Sequence, residues 1–228
     1  MKRTLLIVSL AVWCAAAWSA GPVALVGGGY GKYVRNSFIK KILLPMDVAY
    51  EDFGEAMDFS RLDEFSLVIV AHGDEKLREG GDPAPAFEQY VRGGGHVLLI
   101  ANAPNVLLNT RDLTDHPWIG AQGWVYHKDN PAASLLQPDH AWLQGLDATQ
   151  EYFWLPASQL LTGPTTAQAL IGSDDLVYLS VNEYGEGWTA FLARGPFPYK
   201  REDVGPEREA QAGMLRRIVA AAGPLTVP

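Results

Sequence analysis

The sequence predicts an α/β protein of three layers, built on a doubly wound, mostly parallel sheet with an aromatic-rich insertion. Three observations carry this. Short apolar runs alternate with helix-period segments and short loops over residues 23–105, and parallel strands need such crossovers. The runs at 23–26, 66–71 and 96–100 are apolar enough for burial on both faces. Residues 106–174 break the rhythm, scattering Trp118, Trp124, Trp142 and Trp154 among Pro117, Pro131, Pro138 and Pro156.

The elements follow in order. Residues 1–20 read as a signal peptide: Lys2 and Arg3 form a positive start, an apolar run extends over 5–17, and small residues end at Ala20. No membrane span is expected after its removal, because no later run approaches the ~20 apolar residues a spanning helix needs. The rest, 21–228, reads as a single domain with 106–174 as an irregular insertion. A buried strand at 23–26 runs into Gly27, Gly28 and Gly29, a permissive turn. Val34, Phe38, Ile39 and Ile42 recur at helical spacing until Pro45, and 47–50 reads as a second strand. Ser60 opens a capping box before the third strand at 66–71. Asp82 and Pro83 start a helix with Phe87, Tyr90 and Val91 on one stripe; Gly93, Gly94 and Gly95 end it before the fourth strand at 96–100. Inside the insertion, 123–126 reads as a short strand. Strands at 176–181 and 188–193 flank a hairpin-like turn at 183–187, and a closing helix from Glu207 turns Met214, Leu215, Ile218 and Val219 inward.

Composition excludes several function classes. Net charge is −8 over 228 residues, and loss of the leader leaves 16 Lys+Arg against 26 Asp+Glu. Nucleic-acid binding draws most of its affinity from basic side chains, so no nucleic-acid partner is expected. The single cysteine, Cys14, lies in the leader, so the mature chain has no disulfide, thiolate nucleophile or cysteine metal site.

The order of motifs carries a resemblance. The segment 61–70, the helix ending at 90–95 and the strand after it resemble the class I glutamine amidotransferase-like superfamily, within it the trehalose-utilisation (ThuA-like) branch. The segment 139–146 is similar to that branch's His-Pro-x-x-x-Gly-Leu motif, with Ala141 in place of proline. The turn at 184–187 and the final helix resemble its closing elements. The resemblance implies a flavodoxin-like, amidotransferase-like fold. It also implies a cysteine at a sharp turn after the fourth strand, where this chain has Ala101 or, one residue on, Asn102. The expectation is an amidotransferase-like chain without the cysteine nucleophile, a pseudoenzyme for that reaction.

Open parallel sheets bind ligands beyond the carboxyl ends of their strands. The ligand-binding candidates are therefore Gly28, Gly29 and Tyr30 after the first strand, His72 after the third and Asn102 after the fourth, with the amides opening the next helix available to an anion. His72, Asp74 and His140 are the candidates for acid–base catalysis. No cofactor is expected, since the run 29–34 misses the last glycine of a dinucleotide fingerprint. No metal is expected either: His72, His96, His116, His127 and His140 show neither His-x-His nor His-Glu-x-x-His spacing. The tryptophans at 118, 124, 142 and 154, with Tyr126, Tyr152 and Phe153, form core or an aromatic wall for a sugar. Glu186 with Asp174 or Asp175 forms a glycosidase pair only at a separation of about 5–9.5 Å.

Three functions remain open from the sequence. The first is an exported (periplasmic or extracellular) ligand-binding or accessory module, in carbohydrate handling, with a small molecule or saccharide as partner. The second is a hydrolase acting on a saccharide or ester through a His/Asp site. The third is a protein-interaction module docking through the insertion.

Overall fold

The structure, a computed structural model, describes residues 21–29, 31–72, 75–127, 133–147, 158–173, 175–193 and 206–223. The first half alternates as the sequence predicts: β1 (Val23–Val26), α1 (Gly31–Phe38), β2 (Tyr50–Gly54), β3 (Leu67–Ala71), α2 (Ala84–Arg92), β4 (His96–Ile100) and α3 (Ala103–Leu108). β1 and β3 are buried at every position, as strands covered on both faces must be. α1 does not stop at Pro45. It continues through a π turn at Ile39–Leu43 into a 3₁₀ turn at Leu44–Met46, where proline's missing N–H costs nothing, and ends at Asp47 in the left-handed region (φ 54°). The second strand therefore begins three residues later than the sequence suggests. The 3₁₀ turn Phe59–Glu64 is capped by Asp58, whose Oδ1 accepts from the Ser60 N–H at 3.0 Å, so Ser60 is not the cap. Asp82 does cap α2, accepting from the Ala84 N–H at 3.0 Å.

The chain then adds β5 (Ala121–His127), β6 (Ser134–Leu135), β7 (Ser158–Pro164), β8 (Gln168–Ser173), β9 (Leu176–Tyr184), β10 (Gly187–Leu192) and α4 (Pro206–Ala221). One ten-stranded sheet runs β2-β1-β3-β4-β10-β9-β7-β5, with β8 on β9 and β6 on β8. Only β2-β1-β3-β4-β10 are parallel; every pairing beyond β10 is antiparallel. A mostly parallel sheet thus describes one half of the molecule. The cause is the 106–174 segment, expected as an irregular insertion, which instead supplies β5 to β8. Trp124 pairs with Leu161 and Val125 with Leu160, while Gly172 pairs with Val177 of β9. β9 and β10 join through Gly185 and Glu186; Gly185 (φ 65°) lies so close to α2 that a Cβ would stand 2.4 Å from the Arg92 carbonyl oxygen.

α2 and α4 lie on opposite faces of the β9–β10 hairpin. Tyr184 donates to Glu88 of α2 at 2.7 Å, and its neighbour two residues back, Asn182, donates to the carbonyls of Pro117 and Trp118 at 3.0 Å each. On the opposite face Trp188 meets Trp142, whose carbonyl accepts from Arg217 of α4 at 3.0 Å. Between them the core is continuous, with Leu25, Ile69 and Leu98 of adjacent strands fully buried.

Candidate functional site

The parallel strands offer two ends, and they are built differently. At the carboxyl ends, Val26 pairs with Val70 and Ala71 with Ile100, so Gly27, His72 and Ala101 are the residues that leave the sheet side by side. The His72 N–H donates to the Ile100 carbonyl at 3.3 Å and the Ala101 N–H to the Leu192 carbonyl at 2.8 Å. Both residues adopt the left-handed region, φ 53° and 57°, at a cost of roughly 1–2 kcal/mol each for a residue with a Cβ. Asn102 stands at the N-cap position of α3 without a side-chain cap bond. The turn after β4 thus has the sharp, strained form that holds a nucleophile above a sheet, but its side chain is a methyl group. No lone pair exists there to attack a carbonyl.

The glycines after β1 serve packing first. A Cβ on Gly31 would stand 2.0 Å from the Ala71 carbonyl oxygen and 2.6 Å from that of His72. The loop therefore lies directly on the backbone that follows β3. Gly28 is buried and Gly29 is exposed with φ 52°. The Gly31 and Lys32 N–H groups already donate within the turn, to Gly28 at 2.7 Å and Gly29 at 3.3 Å, so these two amides do not form the expected anion cradle. Tyr30 and Asp74 lie outside the described residues.

Family models and curated protein sequences give no match to the chain. Solved structures do. A cytoplasmic protein of Salmonella typhimurium superposes with a TM-score of 0.59 at 13% identity over 86% of this chain and 98% of its own. A ThuA-like protein from Bacteroides uniformis gives 0.57 at 17% identity, over 88% and 93%. The fold is shared with ThuA-like proteins. A β-galactosidase from Bacillus circulans sp. alkalophilus gives 0.56 at 14% identity, over 89% of this chain but only 30% of that one. The ThuA-like fold thus also occurs as a part of larger chains.

The other end of this ThuA-like sheet holds an open cavity of about 570 Å³. His140, Trp142, Thr166, Gln168, Glu183 and Trp188 supply most of its wall. Trp188 pairs with His96 and His96 with Leu67, which fixes the cavity at the amino ends of β3 and β4. From Leu67 to His72 the chain advances five residues, about 17 Å at ~3.3 Å per residue. His140 therefore does not join His72, and a catalytic site using both is not assembled.

The cavity wall is a chain of rings. His140 meets Trp142 edge-on at 5.2 Å and 84°, Trp142 meets Trp188 at 5.2 Å and 64°, and Trp188 stacks on His96 at 4.8 Å and 12°. His140 caps the 3₁₀ turn Ala141–Leu143 by accepting the Trp142 N–H at Nδ1, 3.2 Å. Burial holds its pKa below the usual histidine value, so near neutral pH the ring is uncharged, with its proton on Nε2 as a donor. Burial pushes His96 down to about 4, and its Nδ1 has no hydrogen-bond partner. Glu183 lies directly across the hairpin from Trp188 and is, among the described residues, the only formally charged side chain on the wall. Sequence reading missed both Trp188, hidden inside an apolar strand pattern, and Glu183; the register that opposes them is the signal, and it appears only when the hairpin is aligned about Gly185 and Glu186.

The remaining candidates resolve otherwise. Trp118 is fully buried and stacks on Phe87 at 6.0 Å; Trp124 is buried, donates to the Thr110 carbonyl at 2.7 Å and carries Arg111 over its ring. These two take the core use of the two that the sequence left open, Trp142 belongs to the cavity wall and Tyr126 is exposed; Tyr152, Phe153 and Trp154 lie outside the described residues. Asp175 precedes β9 and Glu186 follows it. Nine strand residues, about 30 Å, separate them, far beyond a glycosidase pair, and Asp174 lies outside the described residues. Among the described residues no group of three His, Cys, Asp or Glu is placed to hold a metal, and no helix is long and apolar enough to cross a membrane.

Proposed function

We propose that this chain is an exported ligand-binding or accessory module in carbohydrate handling, and that it performs no glutaminase chemistry. One observation carries the reading: the strained turn after β4 presents the methyl group of Ala101 where a cysteine-dependent relative would present its thiolate. Strain of this kind persists only when the surrounding packing holds it, so the fold keeps the form of the turn without its chemistry. The leader-like residues 1–20 support export, and the likeness to ThuA-like proteins and to 30% of a β-galactosidase chain supports the carbohydrate setting. Hydrolysis through His72, Asp74 and His140 has no support from the distance between the two histidines.

The test is covalent. Purified mature protein is incubated with a glutamine-derived electrophilic label and its intact mass is measured. No mass gain is the expected result, and a one-to-one adduct on residues 101–105 would overturn the reading.

A further inference from the structure

Trp142 and Trp188 are 6% and 9% exposed, so both indoles are more than nine-tenths buried. Neither indole N–H has a hydrogen-bond partner among the described residues, and both residues line the cavity. With His140 Nε2–H, three ring donors belong to the wall of one 570 Å³ cavity, a volume typical of small-molecule sites. The same wall carries acceptors: the Glu183 carboxylate, the Gln168 amide oxygen and the Thr166 hydroxyl, which itself donates to Asn182 Oδ1 at 2.7 Å and keeps its lone pairs. α4 ends here at Ala221, adding the partial negative charge of a helix carboxyl end.

These features narrow the ligand. Among the described residues no Lys or Arg lines the cavity, and Arg217 behind the wall donates to the Trp142 carbonyl, so a phosphate or carboxylate would meet Glu183 and the helix end without a lining cation beside it. An ammonium group would suit Glu183 but would leave the three ring donors without acceptors. A neutral polyol satisfies both sets, because each hydroxyl donates and accepts. Flat stacking is not the mode here: one face of Trp188 is covered by His96 and its other contacts are with Trp142.

We propose that the cavity at the amino ends of β3, β4 and β10 is a binding site for a neutral saccharide of one or two rings, held by indole and imidazole N–H groups on one side and by Glu183 on the other. This rests on the ligand-binding reading above but is independent of the Ala101 turn.

The test is calorimetric titration of the mature protein with neutral mono- and disaccharides to 50 mM, with sugar phosphates as the charged arm. At least one neutral sugar binds and its phosphate does not. Glu183→Ala, on the exposed rim, weakens binding about tenfold or more, as loss of a charged hydrogen bond does; Trp188→Phe, which keeps the ring and loses the N–H, weakens it roughly threefold to tenfold. Melting temperatures of both variants are recorded without ligand, so that a folding defect in Trp188→Phe leaves Glu183→Ala as the deciding variant. No binding by any neutral sugar, preference for the phosphate, or affinity unchanged in Glu183→Ala would overturn the proposal. The covalent-label result stands in each of those cases, so the two readings fail separately.

Discussion

The carboxyl ends of β1, β3 and β4 and the amino ends of β3, β4 and β10 belong to the same strands, yet they present opposite kinds of surface. At the carboxyl ends, backbone lies on backbone: glycines without side chains press against the Ala71 and His72 carbonyls, and two non-glycine residues adopt left-handed conformations. At the amino ends the strands open into a cavity walled by side chains with ring N–H groups and a carboxylate. The comparison teaches where recognition has room to vary. A surface made of close backbone contacts tolerates almost no substitution, whereas one made of side chains at the mouth of a sheet can change ligand without touching the fold.

The comparison breaks most visibly under substitution at the closed end. Gly31→Ala places a methyl carbon within 2.0 Å of a backbone oxygen that cannot rotate away, so urea denaturation is expected to show a loss of about 3 kcal/mol or more. An equally conservative change at the open end, Glu183→Gln, is expected to stay within about 0.5 kcal/mol because the residue is exposed. Equal effects at the two positions would remove the distinction between the ends.

Asn182 sharpens it at the junction of the two half-sheets. Its amide donates to the Pro117 and Trp118 carbonyls and accepts from Thr166, while the residue is only 1% exposed. Asn182→Ala leaves buried carbonyls unpaired, and equilibrium unfolding is expected to lose roughly 2–3 kcal/mol. A loss below about 0.5 kcal/mol would mean that water reaches these groups.

The open end is also where pH acts. His96 is held down to about 4 by burial, whereas the unfolded chain takes up the proton near 6.5. The unfolded state therefore binds more protons between these values, and the stability present above pH 6.5 declines as pH falls toward 4. His96→Phe keeps a ring against Trp188 and removes the titration, so its melting temperature should fall less steeply over that window. Identical slopes for the two proteins would show that His96 is not the group responsible.

The smallest expected effect lies at the turn itself. Ala101→Gly releases left-handed strain of about 1–2 kcal/mol and costs about 0.5–1 kcal/mol in unfolded-chain entropy. A net gain of roughly 0.5 kcal/mol is expected from careful chemical denaturation, and a clear loss would contradict a strained turn.

The closed end was largely legible in the sequence and the open end was not, for a physical reason. Val23 to Val26 and Leu67 to Ala71 are uninterrupted apolar runs because they are covered on both faces, and a glycine cluster marks the turn after the first. Ala101 could be located because it directly follows such a run. Only the 123–126 part of β5 was legible, and β7 escaped because Gly163 and Pro164 punctuate it, so the pairing of the two reads as loop until each is set against the other. The cavity draws on residues 140 to 142, 166 to 168, 181 to 188 and Ala221, four segments of which the second and third are brought together by the Gln168–Val181 and Glu183–Trp188 registers. His140 was visible as a candidate, but nothing in spacing could show that it shares a cavity wall with Trp188 and stands apart from His72.

The central claim is that recognition resides at the amino ends of the strands while the carboxyl-end turn is chemically silent. Chemical-shift mapping on ¹⁵N-labelled mature protein tests it most directly, using the neutral saccharide that gives the largest calorimetric signal. The account predicts that the indole N–H resonances of Trp142 and Trp188 shift on titration while the backbone amides of Gly28, Gly29, His72 and Asn102 stay in place. Movement of those four amides with the two indole resonances unchanged would contradict it and return recognition to the strand ends where the sequence first placed it.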